Sequence, residues 1–192
     1  MKRALLLSML FFLLLPSVSF AYSFSGHHWH AEKASLVYGN TLPSWMKVPT
    51  FYGQQVTWDD GSPSSFYFYN DSSSGNGVWY GSIDGKYGVL AQTWFDYVVA
   101  HKGYHIVDCD FKYDSGESWH TDVNSTPPST KVDAWSVAAH EFGHWLSLGH
   151  SSSSPDGKKP TMYPALAYGE YFPRDLAQDD KNGIWYIYEV WH

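Results

Sequence analysis

Short runs of β-branched and aromatic residues predict strands in the first part of the chain. Four such runs are bounded by Gly, Pro, Asn or Ser, at 36–38, 66–69, 89–95 and 105–111. Segment 49–58 has apolar spacing that predicts a helix, with Pro49 suited to its opening turn, although Gly53 weakens the pattern.

Two further helices are predicted near the C-terminal end. One runs over 133–146, and the carboxylate of Asp133 can accept from backbone N–H groups of its first turn. Asp179 and Asp180 suit the positive start of a last helix, whose buried side would carry Ile184, Ile187 and Tyr188. Strands followed by helices without regular alternation predict an α+β domain.

The N-terminal residues have the pattern of an export signal. A basic start precedes an apolar run at 4–15, and small residues stand at Ser19 and Ala21. The run is shorter than the roughly 20 residues of a membrane span, so a cleaved leader is favoured over an anchor. We expect a signal peptide at 1–21, one domain at 22–192 and no membrane anchor after cleavage. The protein would be secreted, or periplasmic in a Gram-negative bacterium.

Composition narrows the classes of function. The chain has 192 residues, of which 44% are hydrophobic and 19% aromatic, so it can bury a core and disorder is excluded. Its single cysteine, Cys109, excludes a disulfide scaffold and lies in a predicted strand, where a buried role is expected. The net charge of −7 argues against nucleic-acid partners. A monomer is the default for this size.

One histidine cluster carries candidate chemistry. His140 and His144 stand four residues apart in a predicted helix, with Glu141 beside them, so both imidazoles can reach one tetrahedral cation. His150 follows a segment where a helix can end, and offers a third nitrogen. Three protein nitrogens and an open fourth position are typical of a catalytic zinc site. The alternative is a chance match in a chain with ten histidines.

The string HEFGHWLSLGH resembles the HExxHxxGxxH pattern of the metzincin metalloproteases. Segment 161–164 looks like their methionine turn, and Ser151 after His150, with Pro164 two positions after Met162, resembles the matrixin branch. The resemblance implies a zincin-like metzincin domain. Its fold would be a twisted, mostly parallel mixed β-sheet with an active-site helix and a C-terminal helix.

The resemblance also implies a secreted zinc endopeptidase that acts on polypeptides, extracellular-matrix proteins among them. The three histidines would hold one Zn²⁺, and Glu141 would serve as general base toward a water that zinc activates. Met162 would form an apolar floor beneath the imidazoles. Segment 164–173 would wall the pocket for the residue after the scissile bond, unless it is only a structural loop. Leu166, Tyr168 and Tyr171 would then line this pocket, which would favour a hydrophobic side chain on the substrate.

The sequence departs from the matrixin pattern at several positions. Ser147 stands where metzincins have Gly, and a left-handed backbone there would cost Ser roughly 1 kcal/mol and could move His150. Gln92 and Asp110 replace histidines that hold an additional structural zinc in vertebrate matrixins, so that zinc is expected to be missing. Asp108, Asp110, Asp114 and Glu117 could still hold a calcium ion. The alternative is that these acids form a solvated loop.

Two other functions stay open. The first is a catalytically weak or inactive metzincin-like domain that binds zinc or peptide, which Ser147 favours and Glu141 disfavours. The second is a metal-free adhesive module that uses the aromatic residues, although rings also fill cores. Segment 26–30 invites a second metal site through its three histidines, but an edge strand with its imidazoles in solvent is favoured.

Overall fold

A mixed six-stranded sheet carries the helices that position the histidine cluster. The computed structural model describes residues 22–101 and 103–191, so the predicted leader at 1–21 lies outside the described residues. The strands are β1 (Ser23–Phe24), β2 (His27–Trp29), β3 (Lys33–Tyr38), β4 (Tyr67–Asn70), β5 (Gly77–Gly81), β6 (Ala91–Ala100), β7 (Gly103–Asp114), β8 (Trp119–His120), β9 (Val132–Asp133) and β10 (Leu148–Gly149).

Parallel pairing dominates this sheet. β7 pairs in parallel with β2 and β5, and β3 pairs in parallel with β5 and β4. β6 alone runs antiparallel, along nearly the full length of β7. The α+β prediction and the mostly parallel mixed sheet are therefore confirmed, and the four predicted runs coincide with β3, β4, β6 and β7. None of the helices in the described ranges has both the length and the apolar character that a bilayer crossing requires.

The first helix begins earlier than its sequence predicts. α1 (Ser44–Phe51) starts after Pro43 and continues as a π-helix over Tyr52–Asp59. The prediction that Pro49 opens the helix is wrong: Pro43 precedes the first turn and Pro49 lies inside. Gly53, which weakened the prediction, has a packing role, since a Cβ there would lie 2.5 Å from the Cβ of Ala138 on the neighbouring helix.

The second helix agrees with its prediction. α2 (Ala134–Trp145) is capped by Asp133, whose carboxylate accepts from the Ser136 backbone N–H at 3.1 Å. The same carboxylate pairs with Arg174, at 2.7 Å between Oδ1 and Nη2. The apolar face of α2 packs on the sheet, where the Phe142 ring lies 5.2 Å from the ring of Phe111 on β7. A core built from one helix face and one sheet face thus fixes α2 relative to the sheet.

The last helix also begins where predicted. α3 (Gln178–Trp185) carries Asp179 and Asp180 in its first turn and continues as a π-helix over Tyr186–Trp191. The residues predicted on its inner side are all buried: Ile184, Ile187 and Tyr188. Cys109 is a free thiol in the core, as expected.

Candidate metal centre and cleft

Three imidazoles from two segments converge at the end of α2. His140 and His144 lie one turn apart, and His150 comes from the chain after the helix, with ring centroids 5.3 Å and 5.0 Å from theirs. One ring nitrogen from each lies within 4.8 Å of the other two. Within the described residues this is the one group of three His, Cys, Asp or Glu side chains close enough to share a metal ion.

Backbone carbonyls orient two of these rings. The Nδ1 atom of His140 lies 2.9 Å from the carbonyl oxygen of Thr161, and the Nδ1 atom of His144 lies 2.8 Å from that of Leu148. A carbonyl can only accept, so each Nδ1 carries a proton, and Nε2 is the ring nitrogen left to bind a metal. Burial, reinforced by His144, lowers the pKa of His140 to about 3. The neutral imidazole that metal binding requires is therefore the stable form.

This donor set fits zinc. Three neutral imidazole nitrogens leave one tetrahedral position free, which is the arrangement of catalytic zinc sites. The carbonyl contacts to His140 and His144 are the outer hydrogen bonds that typically fix metal-binding histidines. Three convergent nitrogens with two fixed tautomers thus make a site that can hold the ion.

Ser147 turns the chain between the second and third histidines. Its φ is +69°, a left-handed value that favours glycine, and its backbone N–H donates to the His144 carbonyl at 2.9 Å. The side chain is only 1% exposed, and its hydroxyl has no hydrogen-bond partner in the described chain. β10 follows Ser147, pairs with β1 and leads directly to His150. The expected strain at Ser147 is present, yet His150 still lies beside the other two rings.

The methionine turn is held by a carboxylate that the sequence alone did not single out for this role. Asp180 accepts from the backbone N–H groups of Thr161, at 2.8 Å, and Met162, at 3.1 Å. Burial raises the pKa of Asp180 to about 6 against the opposing effect of its backbone donors. Met162 lies against the helix, since a Cβ on Gly143 would be 2.1 Å from its Sδ atom. The turn therefore contacts the His140 ring through the Thr161 carbonyl.

Glu141 is nearly buried beside the histidines. Its side chain is 5% exposed, and its Oε2 atom accepts a hydrogen bond from the Thr93 hydroxyl at 2.5 Å. Burial raises the pKa of Glu141, while His144 and the Thr93 hydroxyl oppose that rise. Sequence reasoning missed Thr93, because an isolated threonine 48 positions away along the chain gives no signal of such a contact.

A cleft of about 680 Å³ opens over Glu141 and the three histidines. Segment 87–93 forms one wall and segment 163–168 the other. Of the predicted wall residues, Leu166 and Tyr168 line the cleft, whereas Tyr171 is exposed and lies outside its lining. Pro164 lines it as well. The lining near segment 163–168 is therefore mostly apolar.

Three of the four acids considered for calcium accept hydrogen bonds from nearby donors. Asp114 accepts from several backbone N–H groups, at 2.8 Å from both Gly85 and Gly116. Glu117 accepts from the Tyr87 backbone at 2.7 Å and from the Tyr168 hydroxyl, and Asp110 accepts from the Gly77 backbone at 2.7 Å. Calcium at Asp108, Asp110, Asp114 and Glu117 stays a prediction.

The N-terminal histidines form no comparable centre. β2 is a strand, but His28 is 1% exposed, so the expectation that these imidazoles all face solvent is wrong. The reason is its packing: the His28 ring lies 4.8 Å from those of both His105 and Trp191. The three-histidine grouping found on α2 is not repeated here among the described residues.

Comparison with known proteins agrees with this geometry. The family model described as matrixin matches residues 20–189. The chain belongs to the matrixin family. Stromelysin-3 of Xenopus laevis is 31% identical over 177 residues, which are 85% of this chain and 33% of that protein. Human neutrophil collagenase is 36% identical over 106 residues, 55% of this chain and 19% of that protein. Metalloendoproteinase 1 of Glycine max is 39% identical over 84 residues, 41% of this chain and 25% of that protein.

This matrixin spans about a third of the length of stromelysin-3. The matched segment contains both the histidine cluster and the methionine turn. Membership of the family implies zinc, and the three imidazoles are the group in the described chain that could bind it.

Proposed function

We propose that this matrixin is a zinc-dependent endopeptidase. The observation that carries the proposal is the convergence of three imidazole nitrogens next to Glu141 in the lining of an open cleft. His140, His144 and His150 would hold the ion. Bound zinc supplies acidification of water and polarisation of the scissile carbonyl.

Glu141 would move the proton during hydrolysis. Oε2 is engaged by Thr93, and Oε1 receives no hydrogen bond from any described residue, so that oxygen is available to an attacking water. The carboxylate would take the proton from the water and deliver it to the nitrogen that leaves. Burial supports both steps, because it brings the protonated and ionised forms of Glu141 closer in free energy. No covalent intermediate with the protein is required.

The substrate would bind as an extended polypeptide. β6 pairs with β7 alone among the described strands, so the opposite edge of β6 offers unpaired backbone groups along the cleft. An extended peptide can add to such an edge through main-chain hydrogen bonds. The apolar wall that contains Pro164 and Leu166 favours a hydrophobic side chain on the residue after the scissile bond.

The proposal also covers where the enzyme acts and on which substrates. The leader at 1–21 would direct export, and the domain at 22–192 would act as a secreted or periplasmic monomer on extracellular polypeptides, matrix proteins among them. The second candidate is a domain that binds zinc or peptide without turnover. The strained backbone at Ser147 favours it, because strain beside His150 could weaken metal binding.

Replacing Glu141 separates the two candidates. Glu141→Ala should keep zinc and lose about 10²- to 10⁴-fold in turnover of a quenched peptide, since the proton transfer is removed. Glu32→Ala is the matched control: Glu32 is an exposed carboxylate bonded to Ser65, and its loss should leave turnover unchanged. Equal turnover by Glu141→Ala and wild type, with zinc retained in both, would refute the proposed mechanism.

A further inference from the structure

The contact between Thr93 and Glu141 joins the cleft wall to the proposed general base. We propose that Thr93 is a positioning residue: its hydroxyl holds Oε2 of Glu141 and thereby presents Oε1 to the cleft. The inference rests on the proposed endopeptidase function. It adds a residue of the edge strand to a site otherwise built from α2 and the chain that follows it.

The position of the Thr93 hydroxyl is fixed by the sheet. Thr93 pairs with Phe111 of β7, and the Phe111 ring packs 5.2 Å from that of Phe142 on α2. Along β6, Thr93 is half-buried whereas Gln92 and Trp94 are exposed, so alternation directs the hydroxyl toward the helix. A β-branched side chain has few χ1 choices, which keeps the donor in place.

Glu141 needs such an anchor. Its side chain has three rotatable bonds, and the 2.5 Å contact with Thr93 is the one hydrogen bond that its carboxylate receives from the described residues. Without this hydrogen bond, Oε2 would be nearly buried and unsatisfied in its present orientation. The carboxylate would therefore turn toward water or the neighbouring His144. The fraction of molecules with Oε1 in the productive orientation would fall, while the backbone groups at the edge of β6 that are proposed to bind the substrate would stay in place.

Kinetics of two substitutions test this role. Thr93→Val keeps the shape and strand preference but removes the donor, and we expect kcat to fall about 10- to 100-fold with KM within about twofold and zinc content unchanged. Thr93→Ser keeps the donor and should retain kcat within about threefold. The inference is overturned if Thr93→Val turns over as wild type does, or if Thr93→Ser is as slow as Thr93→Val, since packing and not the hydroxyl would then matter.

A second readout does not depend on activity. Crystal structures of the two proteins without zinc should show one Glu141 rotamer in wild type and more than one in Thr93→Val. An identical single rotamer in both would contradict the positioning role. Failure of the proposed function is distinguishable from these outcomes, because it would be seen as absence of zinc-dependent cleavage by the wild type itself.

Discussion

Ser147→Gly should stabilise the protein. Ser147 holds φ at +69° with its side chain buried and its hydroxyl without a partner in the described chain. A left-handed conformation costs an L-residue about 1–2 kcal/mol, and a buried unpaired hydroxyl adds about 1 kcal/mol. Glycine removes both but loses about 0.5–1 kcal/mol to the greater freedom of its unfolded chain. The net expectation is a gain of about 1–2 kcal/mol.

Urea unfolding of the protein after a chelator has removed zinc measures this gain without any contribution from metal binding. The midpoint should rise with an unchanged m-value, and the melting temperature should rise by about 2–8 °C. Ser147→Ala is the matched control, because it removes the hydroxyl but keeps the Cβ atom at positive φ. It should be less stable than Ser147→Gly by about 1 kcal/mol. Equal stability of the two variants, or a loss on substitution by Gly, would refute the assignment of strain to this backbone position.

Three further predictions concern Asp180, Gly143 and Asp59. Asp180→Asn should lower the free energy of unfolding by about 2–3 kcal/mol and weaken zinc binding in a chelator titration, because an amide matches the N–H donors of Thr161 and Met162 poorly; unchanged values would contradict its role. Gly143→Ala should destabilise the fold by about 1–3 kcal/mol in urea, since the new Cβ would lie 2.1 Å from the Sδ atom of Met162; neutral behaviour would mean that the turn shifts freely. Burial raises the pKa of Asp59 from 3.8 to about 7, so the folded state keeps a proton that the unfolded state releases. Relative to Asp59→Asn, wild type should therefore lose stability as pH rises from about 4 to 7, and parallel stability curves would count against this.

Local signals in the sequence predicted α2 and most of the candidate centre. The Asp133 cap, the four-residue spacing of His140 and His144, and the turn before His150 all depend on residues close together along the chain. A helix period and a cap are properties of such short segments, so they can be recognised without the fold.

The remaining features depend on contacts between distant segments. Thr93 reaches Glu141 only because β6 lies beside α2, and Asp180 reaches the methionine turn only because α3 packs there. The predicted start of α1 was wrong because the preference for Pro in a first turn is a local rule, and Pro49 lies inside the helix. Gly53 is explained by its close packing against Ala138, which is a contact between distant segments. Contacts of this kind leave no periodic pattern, which is why sequence reasoning missed them.

Metal content and peptidase activity measured on one purified sample test the central claim most directly. Casein and a quenched peptide would be incubated with the protein before and after treatment with a zinc chelator. The account predicts about one zinc per chain, cleavage that the chelator abolishes, and recovery when zinc is restored. Cleavage that survives complete removal of zinc, or a protein that binds no zinc at His140, His144 and His150, would contradict it.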